Sequence, residues 1–585
     1  MEQLKKDRNI IVLFTVSILL AMLANVVFSY LWGPDEPRIA EIAREAFYTG
    51  NYITPHLCGV PFIEKPPLYT DLIALSYWIF NGPSASSARL VSAIFGILTL
   101  AGVFSFGLFW KGIRTAFLAV MFLIIMPQFY RSTHLILLDN GVNLFCTLAV
   151  IFFALYIFKK PDKFKKLYLY VFYFLCALAF LVKGVISIAI IGVIILAYIL
   201  FTKNWHLIKR MLSPLPMLMF FIPVLIWVYL FYQQGGLDYL NLLFVNNTIG
   251  RLLHISFKVS TDHLKLVDVG STSPWFFYLD RAPAMFGAII IFVPFIIIDF
   301  CSRFLNQNTQ KKLTSSDSKY SKPVKSILNF IFINQSNNIE EKNIKSLIFI
   351  WAFVPIVALS FSRIKEVTYI LPCYCAIALL ASAWLDDRIE KFSDSDKSYS
   401  YLLNFFYFII PAVILTEFIS PYFYKTSLFL VITILIIIAL ILIYSLFKRQ
   451  FLKVIYLVAL MSLIGVILGN NPYLMIRSRR SRKCFNAMAN YAWSKVADRK
   501  LYVYQGSETL MGTMPFCGNK TTSLVSSPTQ LFHVLSKSKN NIVILPKGMF
   551  KNLKSNPKYS NKIKEMTVTE LPFPKLIEQY ILLND

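Results

Sequence analysis

Twelve charged residues stand inside or at the edge of long apolar stretches: Asp35, Glu36, Arg38, Glu41, Glu64, Lys65, Asp139, Lys183, Arg251, Arg363, Lys365 and Glu366. Charge at membrane depth is costly, so a set gathered at one rim predicts a shared cavity filled with water or ligand. A carboxylate in such a cavity can serve as a general base or hold a cationic group. Arginine offers a planar fork and lysine a mobile point charge, and both suit phosphate. Glu64 and Asp139, with His254 or His263, are candidate ligands for a divalent metal, although hard cations ordinarily need several carboxylates. The plainer alternative is a solvated loop surface with a few snorkelling lysines. It fits Asp139 and Lys183 least, because both stand where a turn meets an apolar span.

The elements that carry these residues are membrane helices. The chain has 585 residues, 57% of them hydrophobic and only 15% charged, with a mean hydropathy of +0.60. A water-soluble globule needs more polar surface than that. Unbroken apolar runs such as Val431 to Tyr444 exclude a transmembrane β-barrel, whose strands alternate apolar and polar residues. At roughly 20 apolar residues per crossing, thirteen spans are expected, near 10–32, 88–110, 115–130, 138–158, 168–182, 184–202, 213–232, 282–302, 346–361, 369–385, 401–421, 427–447 and 452–470. The first is too long for a signal-peptide core and is read as an anchor. Leu68–Phe80, short and interrupted by Asp71, reads as an interfacial helix.

Basic residues set the orientation. Lys5, Lys6 and Arg8, then Lys111 and Arg114, Lys159 to Lys166, Lys203 to Arg210, Arg388 and Lys391, and Lys448 to Lys453 all fall on one side of this arrangement. That side is expected to be cytoplasmic. Segments 33–87 and 233–281, the turn at 183, residues 362–368 and the tail then face outward. The net charge of +27 is expected to meet anionic membrane lipids. No soluble segment carries a nucleic-acid reader, so no nucleic-acid partner is expected.

The strongest local signal follows the first span. Gly33-Pro34-Asp35-Glu36-Pro37-Arg38 opens a helix with two acids in its first turn, where the dipole favours them, and Ile39-Ala40-Glu41-Ile42-Ala43-Arg44-Glu45 continues it. Asn51 to Leu68, containing Glu64-Lys65-Pro66-Pro67, comes next. This run resembles the polyprenyl-phosphate-sugar-dependent glycosyltransferases of the GT-C fold, and among them the lipid A aminoarabinose transferases. The resemblance extends to Leu138-Asp139-Asn140, Lys183-Gly184, Pro274-Trp275-Phe276-Phe277-Tyr278 and Thr368-Tyr369-Ile370-Leu371-Pro372. Each short motif is weakly specific alone, whereas their order and common membrane face are specific.

The resemblance implies a multi-span helical membrane protein with a GT-C domain over 1–470 and a small periplasmic domain over 471–585. It implies transfer of a sugar from undecaprenyl phosphate to a phosphate of lipid A or lipopolysaccharide, at the periplasmic face of a bacterial inner membrane. Asp35, Glu36 and Asp139 are the expected catalytic residues. Arg38, Glu64, Lys65, Lys183, Arg251 and Tyr369 are expected to bind substrate, with the cations at the leaving phosphate. No cofactor is required; a divalent metal on Glu64 and Asp139 is the one candidate. A protein hydroxyl acceptor, as in the related mannosyltransferases, and a lipid-linked sugar flippase are the competing functions. Phe62-Ile63 and the Arg363-Ile364-Lys365-Glu366 turn depart from the family pattern near the expected sugar pocket, so the resemblance bears on reaction class more than on the sugar.

The tail reads as a small α/β domain, with strands at Leu501–Tyr504 and Asn541–Leu545 and a helix over Cys484–Lys495. Arg477 to Lys483 ahead of it form a basic cluster suited to lipid phosphates. The eight cysteines show no metal-ligand spacing and read mainly as buried thiols; Cys484 and Cys517 share the oxidising side and are candidates for a disulfide.

Overall fold

The computed structural model describes residues 18–19, 22–23, 26, 31, 33, 35–160, 163–250, 272–302, 339–392, 485–572 and 579–584. The expected spans at 10–32 (in large part), 401–421, 427–447 and 452–470, the cluster Arg477–Lys483, the boundary at 470, Cys484, Arg251, His254 and His263 lie outside them.

Residues 35–79 fold as helix α1 (Asp35–Thr49), a hairpin of two-residue strands β1 (His56–Leu57) and β2 (Val60–Pro61), and helix α2 (Leu68–Ile79). α2 has 12 residues, too few for a bilayer crossing, as its composition predicts. Long helices follow: α3 (Ala85–Trp110), α4 (Ile113–Ile125), short α5 (Pro127–Thr133), α6 (Asp139–Phe158), α7 (Lys165–Lys183), α8 (Val185–Thr202), short α9 (His206–Met211) and α10 (Pro214–Leu240). Beyond a π-helical stretch over Asn241–Gly250 and a gap in description come α11 (Phe277–Phe286), α12 (Phe292–Cys301), α13 (Ile339–Ser360) and α14 (Leu371–Phe392).

Six of the described helices are long and apolar enough to cross a membrane. The expected span at 115–130 is instead broken: α4 and α5 meet at 77°. Pro127 opens α5 and cannot donate to the preceding turn, so α5 is deflected at the helix break. The expected span at 282–302 is likewise interrupted, by a 3-10 turn at Gly287–Ile291. Gly287, at φ +55°, approaches Pro127 so closely that a Cβ there would lie 2.9 Å from the proline Cδ. α14 carries Asp386, Asp387 and Arg388 in its last turns, which raises its charge above that of an ordinary span.

The ends of the bundle away from Asp139 and Lys183 are tied by ion pairs. Lys111 pairs with Glu341 at 2.9 Å and with Asp387, Arg114 with Asp386 at 3.1 Å, and buried Asp299 with Lys345 at 2.5 Å and Arg388 at 3.3 Å. Lys111, Arg114, Lys345 and Arg388 all lie at this end.

The tail forms α15 (Asn486–Val496), β3 (Lys500–Tyr504), α16 (Glu508–Gly518), β4 (Ser523–Val525), α17 (Pro528–Lys537), β5 (Asn541–Pro546), α18 (Lys547–Ser555), α19 (Pro557–Lys564), β6 (Thr567–Glu570) and β7 (Tyr580–Asn584). The strands make one mixed sheet in the order β4-β3-β5-β7-β6. β3 is parallel to β4 and β5, whereas β7 is antiparallel to β5 and β6. β5 is buried along its whole length, consistent with helices covering both faces of a central strand.

α16 is the helix of the tail that meets α1. It crosses α1 at Gly512, where a Cβ would sit 2.4 Å from the Pro37 carbonyl carbon and 2.5 Å from the Arg38 nitrogen. Only glycine permits that backbone approach. Around the crossing, Arg44 donates to the Lys520 carbonyl at 3.2 Å, and the Leu524 amide donates to the Cys58 carbonyl at 3.3 Å. Buried Met511 and Met514 pack with Ile42, Leu57 and Cys58 in one apolar cluster.

Candidate active site

Asp35 and Arg38 come from the first turn of α1, where a three-residue offset places them on one face. Arg38 Nη2 donates to Asp35 Oδ1 at 2.6 Å. Its other terminal nitrogen lies 3.7 Å from Glu64 Oε2, in the turn before α2, and bonds Glu508 from the start of α16. One guanidinium thus gathers carboxylates from three separate segments. The ring of Phe62 lies under it at 5.6 Å.

Asp139 and Lys183 are brought together by helix geometry. Asp139 is the first residue of α6 and Lys183 the last of α7, and these neighbouring helices run antiparallel. The dipoles favour an acid at the first position and a base at the second. Lys183 Nζ donates to Asp139 Oδ1 at 2.5 Å and lies 4.5 Å from the centre of the Tyr369 ring. Gly184, at φ +74°, turns the chain sharply from α7 into α8 and rests beside Pro66 of the Glu64-Lys65-Pro66-Pro67 turn. That packing brings the turn to the end of α7. Lys65 is half-buried within it.

The two groups act on each other's charge and form one polar cluster, the candidate recess. Asp35 keeps 45% of its side-chain surface open. Desolvation in the recess raises its carboxyl above the ordinary value; Arg38 opposes this, and the negative charge of Asp139 adds to it. Exposed Glu366 is raised first by desolvation and then by Asp139 and Asp35, with Lys183 and Arg281 opposing. Mutual influence among Asp35, Asp139, Lys183, Glu64 and Glu366 is what a common site requires.

Glu36 is placed elsewhere. It is buried against Arg89 of α3, with bonds at 3.0 and 2.7 Å, and also accepts from the Ile136 amide at 3.0 Å. It therefore fastens α1 to α3 and to the turn before α6 rather than facing the recess. Glu41 is similarly buried with Arg44, at 2.7 and 2.8 Å. Lys365 is buried with its ammonium on the carbonyls of Ser273, at 2.9 Å, and Ser362. It ties the 362–368 loop to the segment before α11. Among the described residues no group of three His, Cys, Asp or Glu side chains is spaced to hold a metal. Glu64 stands near Arg38, and Asp139 is paired with Lys183.

Sequence reasoning missed Glu508, which lies 470 residues from Arg38. Its position after Ser507, whose side chain caps α16 by accepting from the Leu510 amide, marks a helix start but nothing about its partner. Arg89 was missed too; an arginine within an apolar span was the signal available.

With this geometry, comparison with known proteins is informative. A crystal structure of ArnT from Cupriavidus metallidurans bound to undecaprenyl phosphate superposes with a TM-score of 0.73 at 17% identity, covering 98% of both chains. The apo form of the same protein also gives 0.73, at 18% identity. This chain has the GT-C fold of those transferases.

The GT-C assignment agrees with sequence comparison. Residues 64–227 match the family described as dolichyl-phosphate-mannose-protein mannosyltransferase. Undecaprenyl phosphate-alpha-4-amino-4-deoxy-L-arabinose arabinosyl transferase of Pseudomonas savastanoi is 26% identical over 380 residues, 65% of this chain and 62% of that protein. The corresponding protein of Proteus mirabilis is 32% identical over 191 residues, 32% of this chain and 34% of that protein. The aligned part thus spans about three fifths of the length of the first of these relatives. The resemblance read from the outer-loop motifs is therefore met both in sequence and in fold.

Proposed function

We propose that this GT-C protein is a membrane glycosyltransferase that moves an amino sugar from undecaprenyl phosphate to a phosphate of lipid A, at the periplasmic face of a bacterial inner membrane. The observation that carries the reading is the charge pattern of the recess. Asp35, Glu64 and Glu508 surround a single Arg38, while Lys183 and Lys65 stand on the adjoining side. Carboxylates grouped in this way suit an ammonium group on the sugar, and the neighbouring lysines suit its phosphate. The relatives named for aminoarabinose transfer from undecaprenyl phosphate support the same substrate class.

In the proposed reaction an acceptor phosphate oxygen attacks the anomeric carbon, and the bond from that carbon to the donor phosphate oxygen breaks. The electron pair leaves with undecaprenyl phosphate. Lys183 and Lys65 stabilise the charge that grows on this leaving group. The acceptor phosphate is already an anion, so Asp35 orients the sugar rather than taking a proton. Asp139 fixes the Lys183 ammonium, and Tyr369 lines the pocket beside it. Arg251 and a metal on Glu64 and Asp139 remain proposals carried from the sequence.

Expression in a bacterium lacking its own transferase tests this directly. A gain in lipid A mass equal to one amino sugar is expected; an unchanged lipid A together with glycosylated periplasmic protein would favour the second reading, a protein O-glycosyltransferase. The mannosyltransferase family match over 64–227 is the observation favouring that alternative.

A further inference from the structure

Beyond the recess, three arginines stand at its outer edge. Arg131 is in the last turn of α5, Arg281 is in α11, and Arg363 is in the loop before α14. All three side chains are exposed, and none has a carboxylate at ion-pair distance among the described residues. Arg281 rests on the Phe277 ring at 4.3 Å. Asp280, its neighbour, is the only acid in α11.

The fold brings Arg281 and Arg363 to the Glu366 side of the site and packs the helix that carries Arg131 against α11. α5 lies along α11, with Pro127 against Gly287. The 362–368 loop is fastened to the start of α11 by the Ser273 amide on the Arg363 carbonyl at 2.9 Å, by Lys365 on the Ser273 carbonyl, and by Tyr278 on the Glu366 carbonyl at 3.3 Å. Glu366 responds to the charge of Arg281 on one side and of Asp35, Asp139 and Lys183 on the other. An apolar collar borders the same edge: Trp275, Phe276, Leu279 and Phe361 are all exposed, the last at 82%. Aromatic side chains of this kind favour the interface between water and hydrocarbon.

A cationic edge beside an apolar collar, opening onto the recess, matches an amphiphile with an anionic headgroup. We propose that Arg131, Arg281 and Arg363 form the seat of the phosphorylated acceptor lipid, with its acyl chains against Trp275, Phe276, Leu279 and Phe361. The proposal rests on the transferase reading above and adds to it where the acceptor enters. The acceptor reaches the recess from the α5 and α11 side, and its phosphates are held by guanidinium forks.

The test uses the full chain in lipid nanodiscs, with lipid A as acceptor and the lipid-linked amino sugar as donor. Arg281→Gln/Arg363→Gln is expected to raise KM for lipid A by about tenfold, the effect of losing charge-assisted hydrogen bonds. The effect should fall on acceptor KM more than on kcat, with undecaprenyl phosphate binding unchanged. Arg281→Lys/Arg363→Lys should recover part of the loss, and Arg131→Gln should add to it. An unchanged acceptor KM, or an equal loss of undecaprenyl phosphate binding, overturns the proposal. So does inhibition of the unmodified protein, relieved in the double variant, by phosphatidylglycerol at the same mole fraction as lipid A, because the seat would then serve bulk anionic lipid. If the unmodified protein leaves lipid A untouched in this assay, the transferase reading itself falls; if it modifies lipid A but the variants behave normally, only the seat is wrong.

Discussion

Asp35 is the residue on which the proposed chemistry turns, because it is open to the recess while Arg38 holds its carboxylate in place. Asp35→Asn should retain the fold and lower transfer ~100-fold, the order of loss when a group that orients a reacting partner is removed; near-normal turnover would refute its role. Glu36 is adjacent in sequence yet calls for the opposite expectation. Its pair with Arg89 is buried, so Glu36→Leu removes the carboxylate from a buried guanidinium and should cost about 3–5 kcal/mol, read as poor folding yield rather than as a kinetic defect. Replacing both partners by apolar residues should recover much of that yield. Asp71 in α2 gives a pH signature. Desolvation raises its carboxyl from 3.8 to about 8, so the folded chain binds more protons than the unfolded one between those values. Stability from this group is complete below the unfolded value and declines as pH rises through the folded one. Asp71→Asn should therefore gain thermal stability over the parent as pH approaches 8, and equal stability across that range would contradict the assignment.

At the scale of elements, the sequence exposes local rules and conceals distant ones. α1, α2, the start of α6, the end of α7 and strands β3 and β5 were legible, because caps, apolar runs and alternation are written in neighbouring residues. The broken α4–α5 pair was not read, although Pro127 sat inside the expected span; apolar composition outweighed it. The pairing of Glu36 with Arg89 was hidden because nothing local distinguishes a carboxylate facing a recess from one facing a neighbouring helix. Docking of α16 on α1 was equally hidden, since one glycine in a helix has many meanings. Gly512→Val makes that docking testable: the added atoms meet backbone at 2.4 to 2.5 Å, which cannot yield as a flexible side chain would. Faster proteolysis of the tail and loss of transfer are expected together. Normal resistance with normal activity would show the crossing to be dispensable.

For the whole molecule, charge collects at two ends. Asp35, Asp139 and Lys183 cluster at one, which the proposed function places outside, and the Lys111, Arg114 and Arg388 pairs knit the other. In intact cells, a single cysteine at Tyr52 should react with an impermeant reagent, whereas one at Arg114 or Lys203 should react only after lysis. Labelling of both sets from the same side would separate the recess from its proposed compartment. The site also ties together parts of the chain made at different times. Arg38 and Glu508 are 470 residues apart, so at ~5–20 residues per second the ribosome adds the second roughly half a minute or more after the first. During that interval the nascent pocket holds its arginine without the third carboxylate. A transcript cut short upstream of α16 would leave a product in which Arg38 never meets Glu508, so the pocket is completed only when the tail has been made.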